Sequence, residues 1–481
     1  MPNFDTRFPV HTKVAEPFLS FHPERTDYVE RHPLVGLLQY GPYSGSLIHG
    51  VINPIRLAVI CPSGRIDDIL RLVEELDYAH APKERREYLK HFPGFARTFH
   101  VGLKVEEGVC IELSPDLDKR LDGSRKPHLL LSEAISKALG QLRARLNAFD
   151  VALILLPNNW SFAFSDAEGD GFDLHDYIKA TAATWGIATQ ILNDDPSGAL
   201  KYYCRCSVAW RLGLALYAKA GGVPWKMAGA EPEVAYIGIS YALRTVGERK
   251  VFVTCCSQVF DSDGAGLDFV AYETPNAEIV RGNPFLGKDD MYRVMARSLA
   301  LYQRRHLGRS PQKVVVHKST EFKKAEIDGC FDAWRNTEFE LIQVQQDSIW
   351  RGLDIDPPKP NQNTKKGDPA RYPCDRGLVL PISEREALVW TQGNASETVG
   401  GRDYFKEGKG IPSPLMLRLF AGHTDWEHSA RTILGLSKMN WNNDGLYDRL
   451  PVTMSYAKVL AEVIGCMPKL DKQTFQMRFF M

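Results

Sequence analysis

Six consecutive apolar residues, Val151–Leu156 (VALILL), follow closely on an amphipathic stretch, Ser132–Ala148, in which Ser132 has the residue type of an N-cap. A strand points successive side chains to opposite faces, so a run apolar at every position has to be covered on both. That requirement favours a parallel sheet between helical layers. Neighbouring segments repeat the pattern. Arg56–Cys61 reads as a buried strand followed by helical spacing over Ile66–Leu76. Phe172–Trp185 reads as a helix, Ala188–Leu192 as a short strand, and Ser207–Lys219 as a helix stopped by Gly221, Gly222 and Pro224. Strand–helix alternation of this kind predicts an α/β fold with helices on both faces of the sheet.

The texture changes after Trp225. Tyr236–Ser240 and Val251–Val259 have the pattern of neighbouring antiparallel strands, with the turn-rich DSDGAG (261–266) after them. Then come a helix over Asp290–Arg305, a strand over Lys313–Lys318, a helix over Phe322–Trp334 and a strand over Glu338–Gln345. Asp354–Tyr372, rich in Pro, Lys and Asn, reads as an exposed loop or hairpin tip, and Thr453–Ile464 as a late helix. A chain of 481 residues exceeds one ordinary core, so more than one packed unit is expected. The boundary falls near residues 226–232. This gives a segment 1–45 packing on the core, a unit over 46–228 and a mixed-sheet unit over 229–481.

Charge does not choose a partner. Lys+Arg and Asp+Glu both number 59, which excludes a uniformly basic surface but leaves room for a local cationic groove. The nine cysteines, with pairs at 204/206 and 255/256, lack the C-x-x-C spacing of redox or zinc sites. MPNFDTRFPV has neither the basic nor the apolar region of a secretory signal, and no apolar run reaches membrane-spanning length. A cytoplasmic protein with reduced thiols is expected. Walker A, G-x-G-x-x-G and nucleophile-elbow motifs are absent.

One set of residues suggests a ligand. His175 and Lys179, four apart in LHDYIKATAATW, project from one helical face. Gln190 opens the next strand, and Lys219 ends the helix before Gly221. Two ammoniums, an amide and an imidazole suit a phosphate, although such a pair is also what a solvated helix face presents.

The order H-x-x-x-K, TQIL, YAKAGGVPWKM resembles the MID domain of Argonaute proteins, and HFPGFARTFHVGL (91–103) and YGPY (40–43) are similar to its short prokaryotic branch. AYIGISYAL, KVVVHKSTEF and SKMNWNNDGLYDRLPVTMSYAKVLAEVI resemble the PIWI domain. The resemblance implies a Rossmann-like MID domain followed by a ribonuclease H-like PIWI domain. It assigns the guide 5′-phosphate to His175, Lys179, Gln190 and Lys219. It also implies a Mg²⁺ held against that phosphate with the carboxylate of Met481; the apolar ending FQMRFFM is equally suited to simple packing.

An active PIWI centre needs carboxylates for two dications. At the matching positions this chain has Ser240, Ser319 and Lys458. Serine lacks the charge to hold Mg²⁺, and an ammonium repels it. Asp261, Asp263 and Asp328 remain as other carboxylates that a different alignment would bring in. The resemblance implies a non-cutting subunit that binds a guide RNA and a single-stranded DNA target. Its implied partner is a separately encoded APAZ-domain effector, bearing a sirtuin-like, TIR or nuclease domain, in antiviral defence. Lys83–Arg97 and Arg304, Arg305 and Arg309 are candidate backbone contacts. A catalytically active guide-directed nuclease is the alternative, and a two-domain metabolic enzyme a further one.

Overall fold

Val151–Leu156 lies inside a four-stranded parallel sheet, between Ile55–Cys61 and Thr189–Asn193, with Leu103–Glu112 at the far edge. Its residues divide by parity, as an apolar run covered on both faces must. Val151, Leu153 and Leu155 pack with helices Ile66–Glu75 and Arg205–Lys219. Ala152, Ile154 and Leu156 pack with helices Pro127–Arg143 and Leu174–Trp185. At roughly 1.5–3 kcal/mol for each large apolar side chain fully buried, this strand anchors the first lobe. The computed structural model describes residues 10–47, 50–84, 86–166, 172–194, 200, 202–246, 249–266, 268–274, 277–355, 369–371, 373–405, 410–466 and 474–481.

The second lobe is built on a ten-stranded mixed sheet. Val234–Val246 is antiparallel to Arg249–Phe260, which is antiparallel to Asp268–Thr274. On its other side Val234–Val246 is parallel to Lys313–Lys318, and that strand is parallel to Glu338–Gln345. Leu415–Ala421, Glu386–Val389 and Leu378–Ser383 then extend the sheet antiparallel. Helices Lys288–Arg305 and Lys324–Ala333 cover one face, through Met291, Val294 and Trp334. Trp426–Leu436 and Val452–Gly465 cover the other, through Ile433, Leu434 and Leu460. The fold is a Rossmann-like parallel sheet followed by a ribonuclease H-like mixed sheet. Among the described residues no helix is long and apolar enough to cross a membrane.

The N-terminal segment joins the second lobe rather than the first sheet. Thr12–Lys13 pairs with Leu378–Val379 at the sheet's edge, and Leu19–Ser20 pairs with Lys226–Met227. Between these pairings Glu16 is buried. It accepts from Arg376 Nε at 2.9 Å and forms an ion pair with Lys438 Nζ at 2.5 Å. Lys438 also donates to the carbonyls of Pro17 and Arg31, at 3.0 and 2.8 Å. The Arg376 and Lys438 cations hold the Glu16 carboxyl at about 2 against the opposing effect of burial.

Three local expectations change. Ser132 is not an N-cap: its helix starts at Pro127, and Ser132 Oγ donates back to Leu129 O at 2.8 Å. Proline at the first helical position loses no helical hydrogen bond, which lets the helix begin earlier. The helix also ends at Arg143, leaving Leu146–Ala148 as a separate 3₁₀ turn. Asp354–Ile355 pairs with Pro369–Arg371, closing a hairpin; residues 356–368 of that expected loop lie outside the described residues.

Candidate nucleic-acid interface

Helix 174–185 starts at an N-cap, Asp173, whose carboxylate accepts from the Asp176 N–H at 3.0 Å. It ends on Gly186, whose φ of 75° suits a residue without Cβ. Its positions Ala180 and Ala183 pack into the core that also holds Phe480 and Met481, and Lys179, four residues before Ala183, is buried on that side. Lys179 is 6% exposed, and its ammonium donates to the backbone carbonyl of Phe480 at 3.1 Å. Helix 205–219 is buried along most of its length and delivers Lys219, 2% exposed, at its last position. Lys219 Nζ donates to Gln190 Oε1 at 2.5 Å, and Gln190 Nε2 donates to Ile191 O at 2.9 Å. Beyond the helix the backbone turns hard against it. A Cβ at Gly222 would lie 2.3 Å from the Tyr217 ring.

The tail closes this corner. Thr474–Gln476 pairs with Asp268–Val270, which stacks Phe475 on Phe269 at 5.3 Å and sets Phe480 edge-on to Phe269 at 4.7 Å. Met477, Phe479, Phe480 and Met481 are all buried as a result. The aromatic packing explains how residues 474–481 reach helix 174–185.

Charge is concentrated there without an equal opposite charge. Burial pushes Lys179 down to about 8, offset in part by Asp176. Burial, and then repulsion from Lys179, hold Lys219 well below the usual lysine range. Among the described residues no carboxylate acts on Lys219 to compensate. Two desolvated lysines facing a common corner are an environment in which an anion would restore and stabilise the charged forms. The structure joins Lys219 to Gln190 and Lys179 to the tail. It leaves His175 half exposed at the rim, with Nδ1 3.1 Å from Asp176 Oδ1. Asp173, His175 and Asp176 have the donor types for a cation, but Asp173 is already committed to capping.

The positions that the resemblance matches to metal-binding carboxylates, Ser240, Ser319 and Lys458, lie in the other lobe. Ser240 is on the central strand 234–246, opposite Cys255. Lys458 stands exposed on helix 452–465, 3.9 Å from Glu462. Both line a cavity of about 740 Å³ between the lobes, with Lys126 and His128 on the facing wall. Ser319, just past strand 313–318, is exposed, and its carbonyl accepts from Gln343 Nε2 at 3.0 Å.

Beside Ser319 lies a feature that sequence reasoning missed. Lys318 and Glu326, both fully buried, pair at 2.5 Å among the rings of Phe285, Phe322 and Tyr241. Glu326 also accepts from the N–H groups of Leu286 and Lys323, at 3.2 and 3.0 Å. An eight-residue spacing between a strand and a helix carries no local signature, so only the fold reveals this pair. The other candidate carboxylates are engaged or displaced. Asp261 pairs with His306 at 2.8 Å, Asp263 pairs with Lys226 at 2.6 Å, and Asp328 lies on helix 324–333.

In the stretch 83–97 the aromatic residues Tyr88, Phe92 and Phe95 are core, while Lys83, Arg86 and Arg97 face solvent. Any nucleic-acid contact there is therefore a basic one, without ring stacking. Arg304, Arg305 and Arg309 are exposed. Arg305 lines a second cavity, of about 390 Å³, together with Arg478 and Met481.

No protein-family model matches the chain, and no curated protein matches it in sequence. Its fold is similar to solved Argonaute structures. One is Clostridium butyricum Argonaute bound to a guide DNA with a 5′ deoxycytidine and a 19-mer target DNA, at a TM-score of 0.62 and 16% identity. That match covers 100% of this chain and 56% of the other. Another is Aquifex aeolicus Argonaute, at a TM-score of 0.57 and 12% identity, covering 97% of this chain and 57% of that one. The chain thus spans a little over half the length of the Argonautes it matches, and over that length its fold is that of their MID–PIWI portion.

Proposed function

We propose that this chain is the recognition subunit of a nucleic-acid-guided complex. It binds the 5′-phosphate of a short guide, RNA by the resemblance, at Lys179, Gln190 and Lys219, with His175 at the rim. A complementary single-stranded DNA target then pairs in the cleft between the lobes and is not cut. The observation that carries this reading is the burial of Lys179 and Lys219 in one corner beside the tail, bonded to Phe480 O and Gln190 Oε1 and, among the described residues, to no carboxylate there, where burial disfavours the charged form of each until an anion arrives. A phosphate supplies that anion and accepts several hydrogen bonds at once.

Phe480 O and Gln190 Oε1 are already engaged by ammoniums. A Mg²⁺ would therefore be held by the carboxylate of Met481 and by guide oxygens, screening their mutual repulsion. The absence of cutting is supported by Ser240, Ser319 and Lys458, none of which offers a carboxylate. With recognition delegated to base pairing, the output falls to a partner, an APAZ-domain effector in antiviral defence. Exposed Ile349, Trp350, Leu353 and Ile355 in the second lobe support a protein partner.

The test compares labelled guides with 5′-phosphate and 5′-hydroxyl ends, by fluorescence anisotropy on the purified chain, with Mg²⁺ and with EDTA. Binding at least about tenfold tighter with the phosphate is expected, since charge-assisted bonds contribute roughly 1.5–3 kcal/mol each. Equal affinity for both ends refutes the pocket. Specific cleavage of a labelled target with Mg²⁺ or Mn²⁺ would instead establish the nuclease reading.

A further inference from the structure

The cavity of about 390 Å³ behind the C-terminal tail has an apolar floor and a cationic mouth. Phe260, Met439, Tyr456 and Met481, all buried, form the floor, with half-buried Trp441 beside them. Gly264 lets its loop close down on that floor, since a Cβ there would lie 2.9 Å from Met439. Exposed Arg305 and half-buried Arg478 stand at the mouth. Arg478 Nε donates to a neutral acceptor, Gln476 Oε1, at 2.9 Å. Its Nη1 lies 3.8 Å from the place a Cβ would take on Gly221, against the turn that joins the lobes. Burial pushes this guanidinium down, offset only in part by Asp150, which is itself paired with Arg56 at 2.8 Å. The other carboxylates nearby are engaged. Asp261 pairs with His306, Asp263 pairs with Lys226, and Asp448 accepts from the amides of Asn440 and Asn443. Among the described residues that line the cavity none is Asp or Glu. The wall's one carboxylate is the chain end at Met481, so two guanidiniums stand against one anion. Lys179, Gln190 and Lys219 are not among the lining residues, which separates this cavity from the corner assigned to the guide phosphate.

We propose that this cavity binds a free nucleoside phosphate, with its phosphate on Arg478 and Arg305 and its base against Trp441 and the thioethers of Met439 and Met481. A guanidinium presents paired donors that match two phosphate oxygens. Indole stacks on a flat ring, and polarizable sulfur packs against its face or edge. The volume falls within the range of small-molecule sites, roughly 300–1,000 Å³. The site stands on its own geometry and does not require that the chain bind a guide.

The experiment is isothermal titration of the full chain with AMP, adenosine and inorganic phosphate, in EDTA. Because the guide corner can itself take a phosphate, the titrations are run on Lys179→Ala and on the chain loaded with a 5′-phosphorylated RNA guide. AMP is expected to bind both, at least about tenfold tighter than adenosine or phosphate alone. Placed in the Lys179→Ala background, Arg478→Gln is expected to weaken AMP at least about tenfold and to leave adenosine unchanged. Arg305→Gln, at an exposed helix end, is expected to weaken AMP about threefold without touching the core. The proposal is overturned if Lys179→Ala shows no saturable AMP binding below about 1 mM. It is also overturned if the guide displaces AMP, or if a folded Arg478→Gln protein, checked by circular dichroism, binds AMP as its parent does. Should no guide load, the guide reading fails by itself, and the Lys179→Ala titration still decides this one.

Discussion

Lys179 donates a hydrogen bond to the backbone carbonyl of Phe480 at 3.1 Å, although 301 residues separate them in the chain. The contact exists because Phe480 is wedged edge-on against Phe269 and Phe475, which fixes the tail beneath helix 174–185. A cation is thereby buried against a neutral acceptor rather than a carboxylate, which leaves its charge available to a ligand.

Removing that charge tests the site directly. Lys179→Ala and Lys219→Ala are each expected to weaken binding of a 5′-phosphorylated guide by roughly 10- to 100-fold, following the strength of bonds to charged groups. Binding of a 5′-hydroxyl guide should change far less. Anisotropy titrations with both guides measure the difference, and an equal loss for both ends would point to damaged folding instead.

Guide binding should also depend on pH. Lys179, at about 8 in the guide-free fold, regains its proton when a phosphate arrives, so above about pH 8 binding must take up a proton and weaken. Log affinity is expected to fall there with a slope of about −1 per pH unit or steeper, because Lys219, also lowered by burial, takes up a proton as well. The phosphate's own second ionisation, near about 6, lowers affinity on the acid side. Isothermal titrations across pH 5.5–10 should therefore show a maximum between about 6 and 8. The guide-free fold has the opposite sign. Between about 8 and the ordinary lysine value of 10.5, the unfolded chain holds a proton that the folded chain has lost, so this group's contribution to stability grows as pH rises.

The Lys318–Glu326 pair should behave as a buried ion pair with satisfied partners. Glu326→Gln or Lys318→Met alone strands one charge and is expected to cost about 3–5 kcal/mol. Replacing both with apolar residues of similar volume should cost much less, because neither charge then needs solvation. Urea denaturation of the three variants, analysed as a double-mutant cycle, measures this.

Glu16 links the N-terminal segment to the second lobe, and Glu16→Gln leaves Arg376 and Lys438 without their shared anion. A loss of about 3–5 kcal/mol is expected, with the N-terminal segment opening first. In the wild type the Glu16 carboxyl is held at about 2, below its ordinary 4.5. Its stabilising contribution is thus complete above 4.5 and is lost as pH falls toward 2. Hydrogen exchange over residues 10–31, followed from pH 6 downward, reads out both effects.

Periodicity alone determined strands Val151–Leu156, Lys313–Lys318 and Glu338–Gln345 at their observed bounds, and the existence, though not the exact ends, of the helices on either side of the first. Buried apolar runs impose their own geometry, so these elements were legible locally. The edge strand Leu103–Glu112, with charged Lys104, Glu106 and Glu107, gave no such signal, because an edge tolerates polar residues on its open side. Residue order supplied all four phosphate candidates, His175, Lys179, Gln190 and Lys219. Only the packed molecule decided that Lys219 reaches Gln190, that Lys179 reaches the tail, and that His175 stays at the rim with Asp176. The ion pair Lys318–Glu326 and the cluster around Glu16 likewise needed the fold. Sequence spacing fixes which face of an element a side chain occupies. Whether its charge is solvated, paired or left wanting depends on what distant segments bring to that face, and burial changes the energy of a charge far more than its neighbours along the chain do.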